Sequence, residues 1–351
     1  VELEPAGVAD GAPGADLLEA RGELRTAIHA MPLPEATACA EAALRFGASR
    51  PVAVARLVEQ VATHVECAAE LATKSEAQTR CAQKWYKIAI HALAVAGRTD
   101  AAEAMWHRAT RLRTNSSAAT ARIGWPSIAQ TPTVWISSLE SAKVWNCSHW
   151  PFVERLEANA PLILEEILSV AKNFSVAYPY LTRGGTWQDL FLYRGHEWDT
   201  VLCGALPRTC RLLLPELPTK PGVPYTTQFN EEVVIFRSEP GASVGAHCGS
   251  SNAVVNIHFT LMGGRGTSLR IGADDFPLQD GRAFCFQDSY FHAIEHRGDG
   301  AKERISLVVR VMHPQLSLAA YGSSSGTDVV EDLARWDQAV ALRREVDRLR
   351  Q

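Results

Sequence analysis

The spacing of hydrophobic and polar positions changes near residue 185 and divides the chain into a helical part and a β part. Residues 16–113 are rich in Ala, Leu, Glu and Arg and nearly free of proline after Pro51, which is typical of helices. Beyond residue 185, short β-rich runs such as "EEVVIFRS", "AVVNIHFTLM" and "RISLVVRVM" alternate with turn sequences such as "EPGAS" and "MGGRG". Many short strands at this spacing indicate an antiparallel sandwich or jelly roll. We therefore predict an α+β chain.

One stretch of the helical part has the form of a repeat unit. "WYKIAIHALAVAGRTDAAEAMWHRATRL" predicts a helix, a Gly-Arg-Thr-Asp turn and a second helix that Thr99 or Asp100 can cap. This unit is similar to part of a tetratricopeptide array. A plain helical bundle is the alternative, since no clean period of about 34 residues is visible.

Composition sets the domain limits that we predict. Residues 1–15 are rich in Gly, Ala and Pro and are expected to be disordered. A helical, tetratricopeptide-like domain spans residues 16–113, and a linker rich in Asn, Ser, Thr and Pro spans residues 114–145. The jelly-roll domain with flanking helices is assigned to residues 146–318, and an amphipathic helix to residues 327–351.

Charge and hydropathy exclude some functional classes. The chain has 351 residues and a net charge of −4, without the basic patch that nucleic-acid binding requires. No apolar run is long enough to cross a bilayer. Because the chain begins with Val, a signal or anchor upstream of it remains open.

The eight cysteines include no CxxC pair, which argues against a zinc ribbon or thioredoxin site. Cys203 and Cys210, in "CGALPRTC", are either two unrelated thiols, which the spacing alone slightly favours, or a small disulfide loop. Such a loop would indicate an oxidising compartment. Asn-x-Ser sequons at Asn115, Asn146 and Asn173 lean the same way.

Histidines provide the candidate chemistry of the β part. His247 follows a Pro-Gly turn and opens a strand, so position 249 lies on the same face. In a site of two histidines and one carboxylate, position 249 would supply the acid, but the residue is Gly249. His292 comes 45 residues after His247, and Arg304 follows twelve residues later at the start of the last long strand. An arginine at this place could bind a carboxylate of 2-oxoglutarate through two hydrogen bonds.

Several motifs together resemble one family. Residues from about 150 to 316 are similar to the catalytic domain of the aspartyl/asparaginyl β-hydroxylases. The similarity rests on "GTWQDLFLY", "CGALPRTCRLL", "EPGASVGAHCGSSN", "NIHFTL", "GRAFCFQDSYFHAIEH" and "ERISLVVRVMHP", in that order. Animal members of this family carry tetratricopeptide repeats before the oxygenase, which matches the helical part. The resemblance implies a double-stranded β-helix, that is, a jelly roll.

The resemblance also implies roles for individual residues. His247 and His292 would be the only two protein ligands of Fe(II), with Gly249 in place of the acid. Asp288 matches a family aspartate that hydrogen-bonds to iron-bound water, next to the metal ligands.

Other family positions concern the co-substrate and the disulfide. Arg304 would bind the C5 carboxylate of 2-oxoglutarate, and His258 would help to hold its C1 end. Cys203 and Cys210 match a family disulfide, which favours the bridge over two separate thiols.

This sequence departs from the family at positions that would contact the substrate or the co-substrate. Val254 and Asn256 replace two arginines, and Asp189 replaces a substrate-binding glutamine. Phe236 replaces a serine that helps to bind 2-oxoglutarate, and Val234 replaces a lysine. Substrate-facing cations are therefore largely missing, and the substrate preference of the family does not transfer directly.

Four further polar residues match no family site. Arg237 and Arg310 could replace a lost cation, but we expect them to be solvated surface residues. His296 and His313 match no ligand position, and we expect His296 at the rim of the site and His313 packed at a strand end.

These observations predict an Fe(II)- and 2-oxoglutarate-dependent dioxygenase, which uses O2 to β-hydroxylate an Asp- or Asn-type residue of a peptide or protein in an altered pocket. A small-molecule substrate is an alternative, and no nucleic-acid partner is expected. Two other hypotheses are an iron- and 2-oxoglutarate-dependent halogenase, and an inactive jelly roll joined to a helical binding module. We expect the secretory pathway or ER lumen, with the cytoplasm as the alternative.

Overall fold

The computed structural model describes residues 36, 40, 55, 57–62, 64, 76–111, 125–132, 135–136, 138–177, 182–217, 231–297 and 302–316. The chain divides into two compact units, Val1–Ile128 and Ala129–Gln351. The segment predicted to be disordered, residues 1–15, and the predicted helix at residues 327–351 lie outside the described residues. Among the helices that are described, none is both long and apolar enough to span a bilayer.

In the first unit, two helices have bounds that the structure describes, α1 (Glu76–Val95) and α2 (Thr99–Ala109). Gly97, with φ +71°, forms the turn between them in a left-handed conformation that glycine adopts without strain. The helix–turn–helix prediction is therefore confirmed at this stretch. The predicted cap is wrong, because the N-cap residue is Arg98 and no side chain caps the helix. The tetratricopeptide-like character stays a prediction.

The core of this unit is built from aromatic and small side chains. Trp85, Tyr86 and Ile90 of α1 are buried together with Ala102 and Met105 of α2. Alanines let the helices approach closely, and the large aromatic rings then fill the space between helices at native packing density.

The described residues of the second unit form thirteen strands in two sheets. The strands are β1 (Val144–Trp145), β2 (Ser175–Val176), β3 (Thr182–Arg183), β4 (Trp187–Arg194), β5 (Glu197–Trp198), β6 (Glu232–Ser238), β7 (Ser243–His247), β8 (Val254–Met262), β9 (Thr267–Ile271), β10 (Asp274–Pro277), β11 (Arg282–Gln287), β12 (His292–His296) and β13 (Arg304–Met312). The large sheet has the order β1-β11-β8-β13-β6-β4-β2, with β5 paired to β4. The small sheet has the order β10-β9-β12-β7-β3.

The order of the last eight strands defines the fold. β6, β8, β11 and β13 lie in the large sheet, whereas β7, β9, β10 and β12 lie in the small one. The chain thus passes repeatedly from one sheet to the other, as in a jelly roll. All the pairings are antiparallel, as the sequence predicts.

Helices cover the outer face of the large sheet. They are α3 (Phe152–Ala158), α4 (Ala160–Ser169), α5 (Thr200–Ala205) and α6 (Pro207–Leu213), with short 3-10 helices at Cys147–His149 and Ala171–Asn173. Leu156, Ile163 and Leu213 of these helices are buried in one cluster with apolar side chains of the sheet. The apolar face of the sheet is thereby removed from water.

Strands β8 and β13 have two chemically different faces. Their odd-numbered residues, Val255, Ile257, Phe259 and Leu261 on β8 and Ile305, Leu307, Val309 and Val311 on β13, belong to the cluster under the helices. Since side chains alternate along a strand, the even-numbered residues point into the space between the two sheets. Several of these inward residues are polar, namely Asn256, His258, Thr260, Arg304, Ser306 and Arg310. The polar interior is where a functional site can form.

Two disulfides join segments of the second unit. Cys203 and Cys210 are bonded at 2.06 Å and link α5 to α6, so this predicted bridge is confirmed. A second bridge, between Cys147 and Cys285, was not predicted and spans 138 positions of the sequence. It ties the segment after β1 to β11, where Trp145 is the register partner of Cys285. Val144 and Trp145, which were predicted to belong to the linker, therefore form strand β1 of the large sheet.

Candidate active site

Two histidines of the small sheet lie opposite each other on the neighbouring strands β7 and β12. His247 ends β7 and His292 begins β12, and the two residues are direct register partners. Their ring centroids are 4.3 Å apart. The Nδ1 atom of His247 donates to the Gly245 carbonyl at 2.9 Å, and that of His292 donates to the Tyr290 carbonyl at 2.8 Å. Because a carbonyl only accepts, Nδ1 carries the proton and the neutral ring has its lone pair on Nε2.

The protonation state of His292 suits metal binding. Burial lowers the pKa of His292 below its ordinary value, although the neighbouring Asp288 charge opposes the shift. The ring is therefore neutral near pH 7, which is the form that binds metals. A backbone carbonyl that fixes Nδ1 is the usual partner that orients a metal-binding imidazole.

The carboxylate of Asp288 occupies the space beside Gly249. A Cβ atom placed on Gly249 would lie 1.9 Å from Asp288 Oδ2 and 2.4 Å from Asp288 Cγ. The Gly249 amide also donates to the Asp288 backbone carbonyl at 2.7 Å. Glycine is thus required at position 249 because another acid fills the volume of its missing side chain.

Asp288 is held from two sides. Asn256 Nδ2 donates to Oδ1 at 2.6 Å, and Arg310 Nη2 donates to Oδ2. Burial alone would raise the pKa of Asp288, but the Arg310 guanidinium and the nearby histidines hold it below its ordinary value. The carboxylate is therefore ionised. Its Oδ1 lies 3.8 Å from His292 Nε2.

The two histidines and Asp288 do not form a closed ligand set. Across the part of the chain that the structure describes, no three His, Cys, Asp or Glu side chains are placed to hold a metal together. The arrangement is a histidine pair with a carboxylate beside it.

Arg310 differs from the sequence prediction. Its side chain is 17% exposed, and besides Asp288 it contacts Glu232, with 3.3 Å between Nη1 and Oε2. It is the register partner of Asn256 across the β8–β13 pair. The expectation of a solvated surface residue is therefore wrong for Arg310. Arg237 forms an ion pair with Glu303 at 2.5 Å and is 34% exposed.

A second polar group lies on the inner face of the large sheet. Ser306 and Thr260 are register partners, and His258 lies opposite Val308. Arg304 begins β13 and is 2% exposed. Several buried polar atoms of this group have no hydrogen-bond partner among the described residues, namely Arg304 Nε and Nη2, His258 Nδ1, Thr260 Oγ1 and Ser306 Oγ.

The electrostatics of this group favour an anion. Burial lowers the pKa of Arg304 to about 10, which still leaves the guanidinium charged at neutral pH. Burial, followed by the charge of Arg304, lowers the pKa of His258 well below its ordinary value, so this ring is neutral. Among the described residues no carboxylate forms an ion pair with Arg304. Each unsatisfied buried polar group costs about 1–3 kcal/mol, and a charged one costs more, so an acidic ligand would remove a considerable penalty.

At two positions where this sequence departs from the family that it resembles, the side chains make local contacts. Phe236 packs on Trp187 with ring centroids 4.8 Å apart, and Asp189 accepts a hydrogen bond from Ser175 at 2.8 Å. Neither of them presents a cation.

His296 and His313 are structural residues. His296 is 3% exposed and bonds to Thr267 and to the Lys302 carbonyl, so the expectation of a rim position is wrong. His313 follows β13, is fully buried and packs edge-on against Trp145, as expected for a strand-end residue.

Three contributors to the site were missed in the sequence, namely Thr260, Ser306 and the inward position of Arg310. The alternation of polar and apolar residues in "VVNIHFTLM" and "RISLVVRVM" would have placed all three on the face that carries His258 and Arg304.

Comparison with known proteins identifies similar sequences for the β unit. The model of the aspartyl/asparaginyl beta-hydroxylase family matches residues 157–314. Human aspartate beta-hydroxylase domain-containing protein 2 is 30% identical over 174 residues, which are 48% of this chain and 46% of that protein. Mouse aspartate beta-hydroxylase domain-containing protein 1 is 28% identical over 175 residues, or 47% and 46% of the two chains. The chain thus matches less than half the length of these relatives.

Solved structures with a related arrangement are more distant. A prolyl-4-hydroxylase from Pseudomonas putida aligns with a TM-score of 0.30 and 14% identity, over 45% of this chain and 86% of that one. A cupin 2 conserved barrel domain protein from Salinispora arenicola aligns with a TM-score of 0.24 and 13% identity, over 40% and 83%.

Proposed function

We propose that the protein is an Fe(II)- and 2-oxoglutarate-dependent dioxygenase, since the model of the aspartyl/asparaginyl beta-hydroxylase family matches residues 157–314. Its substrate is an aspartyl or asparaginyl residue of a peptide or protein, which it β-hydroxylates. The observation that carries this proposal is the buried Arg304 on the inner face of the large sheet, without an ion-pair partner among the described residues, together with the histidine pair on the small sheet.

The histidine pair suits Fe(II). Both Nδ1 atoms are engaged by backbone carbonyls, so His247 and His292 would hold the ion through Nε2. Bound iron supplies the activation of O2, with oxidative decarboxylation of 2-oxoglutarate to succinate and hydroxylation of a C–H bond. The protein holds the ligand rings in one orientation and keeps Asp288 ionised beside them.

The second polar group suits 2-oxoglutarate. Arg304 offers two unpaired nitrogens to the C5 carboxylate, and a guanidinium binds a carboxylate most strongly through two parallel hydrogen bonds. The hydroxyls of Thr260 and Ser306 can donate to the same ligand. His258, neutral and lying towards the histidine pair, would contact the C1 end. A bound 2-oxoglutarate would thus provide partners for the buried polar atoms of Arg304, His258, Thr260 and Ser306.

The position of Asp288 favours hydroxylation over halogenation. A halide that replaced the missing acid would lie near Gly249, where the Asp288 carboxylate is already present. Two anions this close in a buried site repel each other strongly. The halogenase hypothesis is therefore the weaker of the two.

The residues around Asp288 support a peptide substrate whose side chain is not bound by the two arginines that the family carries. Asn256 replaces one of them and is engaged with Asp288, whereas Arg310 brings a cation to the same place from the neighbouring strand. The two disulfides support an oxidising compartment, such as the secretory pathway, as the location of this activity.

The test is turnover of 2-oxoglutarate with Fe(II) against a panel of Asp- and Asn-containing peptides, with product mass and site mapping. We expect succinate formation coupled to the addition of one oxygen atom at an Asp or Asn side chain, independent of chloride. His292→Ala is the inactive control. A folded protein that binds neither metal nor 2-oxoglutarate would contradict the proposal and favour an inactive binding module.

A further inference from the structure

We propose that Arg310 is a positioning residue that holds Asp288 away from the metal, so that the ion keeps only His247 and His292 as protein ligands. The proposal rests on the proposed function, since it requires a metal on the histidine pair. Arg310 lies within the motif "ERISLVVRVMHP", but the resemblance to the family gives it no role.

Asp288 is close enough to become a third ligand. Its Oδ1 atom lies 3.8 Å from His292 Nε2, the atom that would bind the metal. Atoms that each lie about 2.1 Å from one ion are at most about 4.2 Å apart. The distance therefore does not explain why a buried carboxylate beside a divalent cation would remain outside the ligand set.

The restraints on Asp288 give that explanation. Arg310 Nη2 binds Oδ2, and Asn256 Nδ2 binds Oδ1 at 2.6 Å, so each carboxylate oxygen has a donor on the side of the large sheet. The Gly249 amide fixes the Asp288 backbone at 2.7 Å. Charge-assisted bonds of this kind are about twice as strong as neutral ones.

Arg310 is itself anchored. Its Nη1 lies 3.3 Å from Glu232 Oε2, and Arg194 Nε lies 3.6 Å from the other oxygen of Glu232. Glu232 is the register partner of Arg310 on β6, and Asn256 is its partner on β8. The guanidinium is thus fixed by strands on both sides and competes directly with the metal for the Asp288 charge.

Loss of Arg310 should release Asp288 towards the metal. A buried carboxylate that loses its cation is strongly destabilised, and the nearest replacement cation is the ion on the histidine pair. The carboxylate would then occupy a coordination position that 2-oxoglutarate and O2 need. The observable result is tighter metal binding without co-substrate and weaker coupling between metal and co-substrate.

The experiment is calorimetric titration of Mn(II) into the full chain without 2-oxoglutarate. It compares wild type, Arg310→Gln, Arg310→Lys, Asp288→Asn and the double variant Arg310→Gln/Asp288→Asn. We expect Arg310→Gln to bind Mn(II) roughly 10–100-fold more tightly than wild type. Arg310→Lys should bind with an intermediate affinity, since one ammonium cannot bridge both carboxylates as a guanidinium does. The double variant should show no gain.

A spectroscopic readout distinguishes ligation from a change in charge alone. The Co(II) absorption spectrum of Arg310→Gln should differ from that of wild type and return to the wild-type form in the double variant. Arg237→Gln is the matched control, because it removes another strand arginine from an ion pair with Glu303, and it should leave Mn(II) affinity unchanged.

The outcomes separate the two proposals. Wild-type Mn(II) affinity in Arg310→Gln, or a gain that persists in the double variant, overturns the positioning role and leaves the histidine site intact. If wild type binds no Mn(II) even with 2-oxoglutarate, the proposed function is overturned as well. Should circular dichroism show that Arg310→Gln is unfolded, the comparison of Arg310→Lys with Arg310→Lys/Asp288→Asn gives the same decision.

Discussion

Replacement of Arg304 by methionine should stabilise the ligand-free protein while it removes co-substrate binding. Arg304 is 2% exposed and has two guanidinium nitrogens without acceptors. Burial lowers its pKa to about 10, from an ordinary value above 12. A pKa lowered by this amount corresponds to a free-energy penalty of about 3 kcal/mol for the charged side chain in the interior relative to water.

Methionine keeps the length of the side chain and removes the charge. Replacing a buried charge by a hydrophobic residue of similar volume stabilises a protein by up to about 1–4 kcal/mol. The same change leaves the C5 carboxylate of 2-oxoglutarate without its cation, at a cost of about 3–5 kcal/mol. This corresponds to a loss of affinity of roughly 10²–10⁴-fold.

The assay combines thermal unfolding of metal-free protein with calorimetric titration of 2-oxoglutarate in the presence of Mn(II). Arg304→Met should unfold at a higher temperature than wild type and bind 2-oxoglutarate too weakly to measure. Arg237→Met is the control, because Arg237 is partly exposed and paired with Glu303, and both quantities should change little. A lower unfolding temperature together with normal 2-oxoglutarate affinity would show that Arg304 is a structural residue and refute the reasoning.

Three further predictions concern other parts of the β unit. Gly249→Ala should displace Asp288 and lower the free energy of unfolding by up to about 3–5 kcal/mol, as measured by thermal unfolding. Gly204→Ala is the control: a Cβ atom at Gly204 meets no atom within 4 Å, so this variant should be as stable as wild type. Burial lowers the pKa of His313, so the unfolded state binds more protons, and the free energy of unfolding should fall as the pH drops below about 6.5. His313→Gln should make this pH dependence shallower, and an unchanged slope would contradict the assignment. Peptide mapping of oxidised protein should show the five cysteines of the second unit as two linked pairs, Cys147 with Cys285 and Cys203 with Cys210, and one alkylated thiol, Cys248; any other pairing among these five would be inconsistent with the structure.

The strands of the jelly roll could be predicted because their sequence pattern is local. In "VVNIHFTLM" and "RISLVVRVM" the apolar odd positions face the helices and the even positions face the interior. A period of two is readable without knowledge of the partner strand. The roles of the histidine pair and Arg304 were predicted through the family resemblance, and the prediction that His247 opens a strand was wrong, because His247 ends β7.

Contacts between distant strands could not be predicted from pattern alone. Arg310 meets Asn256 and Asp288 only because β13 pairs with β8 in one particular register. A one-residue shift of that register would turn Arg310 to the other face. The Cys147–Cys285 bridge also depends on the position of β1 beside β11, across 138 residues of sequence. The Cys203–Cys210 bridge was predicted only through the family resemblance, since its spacing alone slightly favoured two separate thiols.

The central claim is that His247 and His292 form a metal site that 2-oxoglutarate completes. Calorimetric titration of Mn(II) into wild type, with and without 2-oxoglutarate, tests it most directly. Two neutral imidazoles leave the charge of the ion uncompensated, and the dianionic co-substrate would supply the missing negative ligand. By linkage each ligand then tightens the other, and coupled sites typically do so by about 5–150-fold. We predict weak Mn(II) binding alone, clearly tighter binding with 2-oxoglutarate, and no binding by His292→Ala in either condition. Equal affinities in the two titrations of wild type, or normal binding by His292→Ala, would contradict the account.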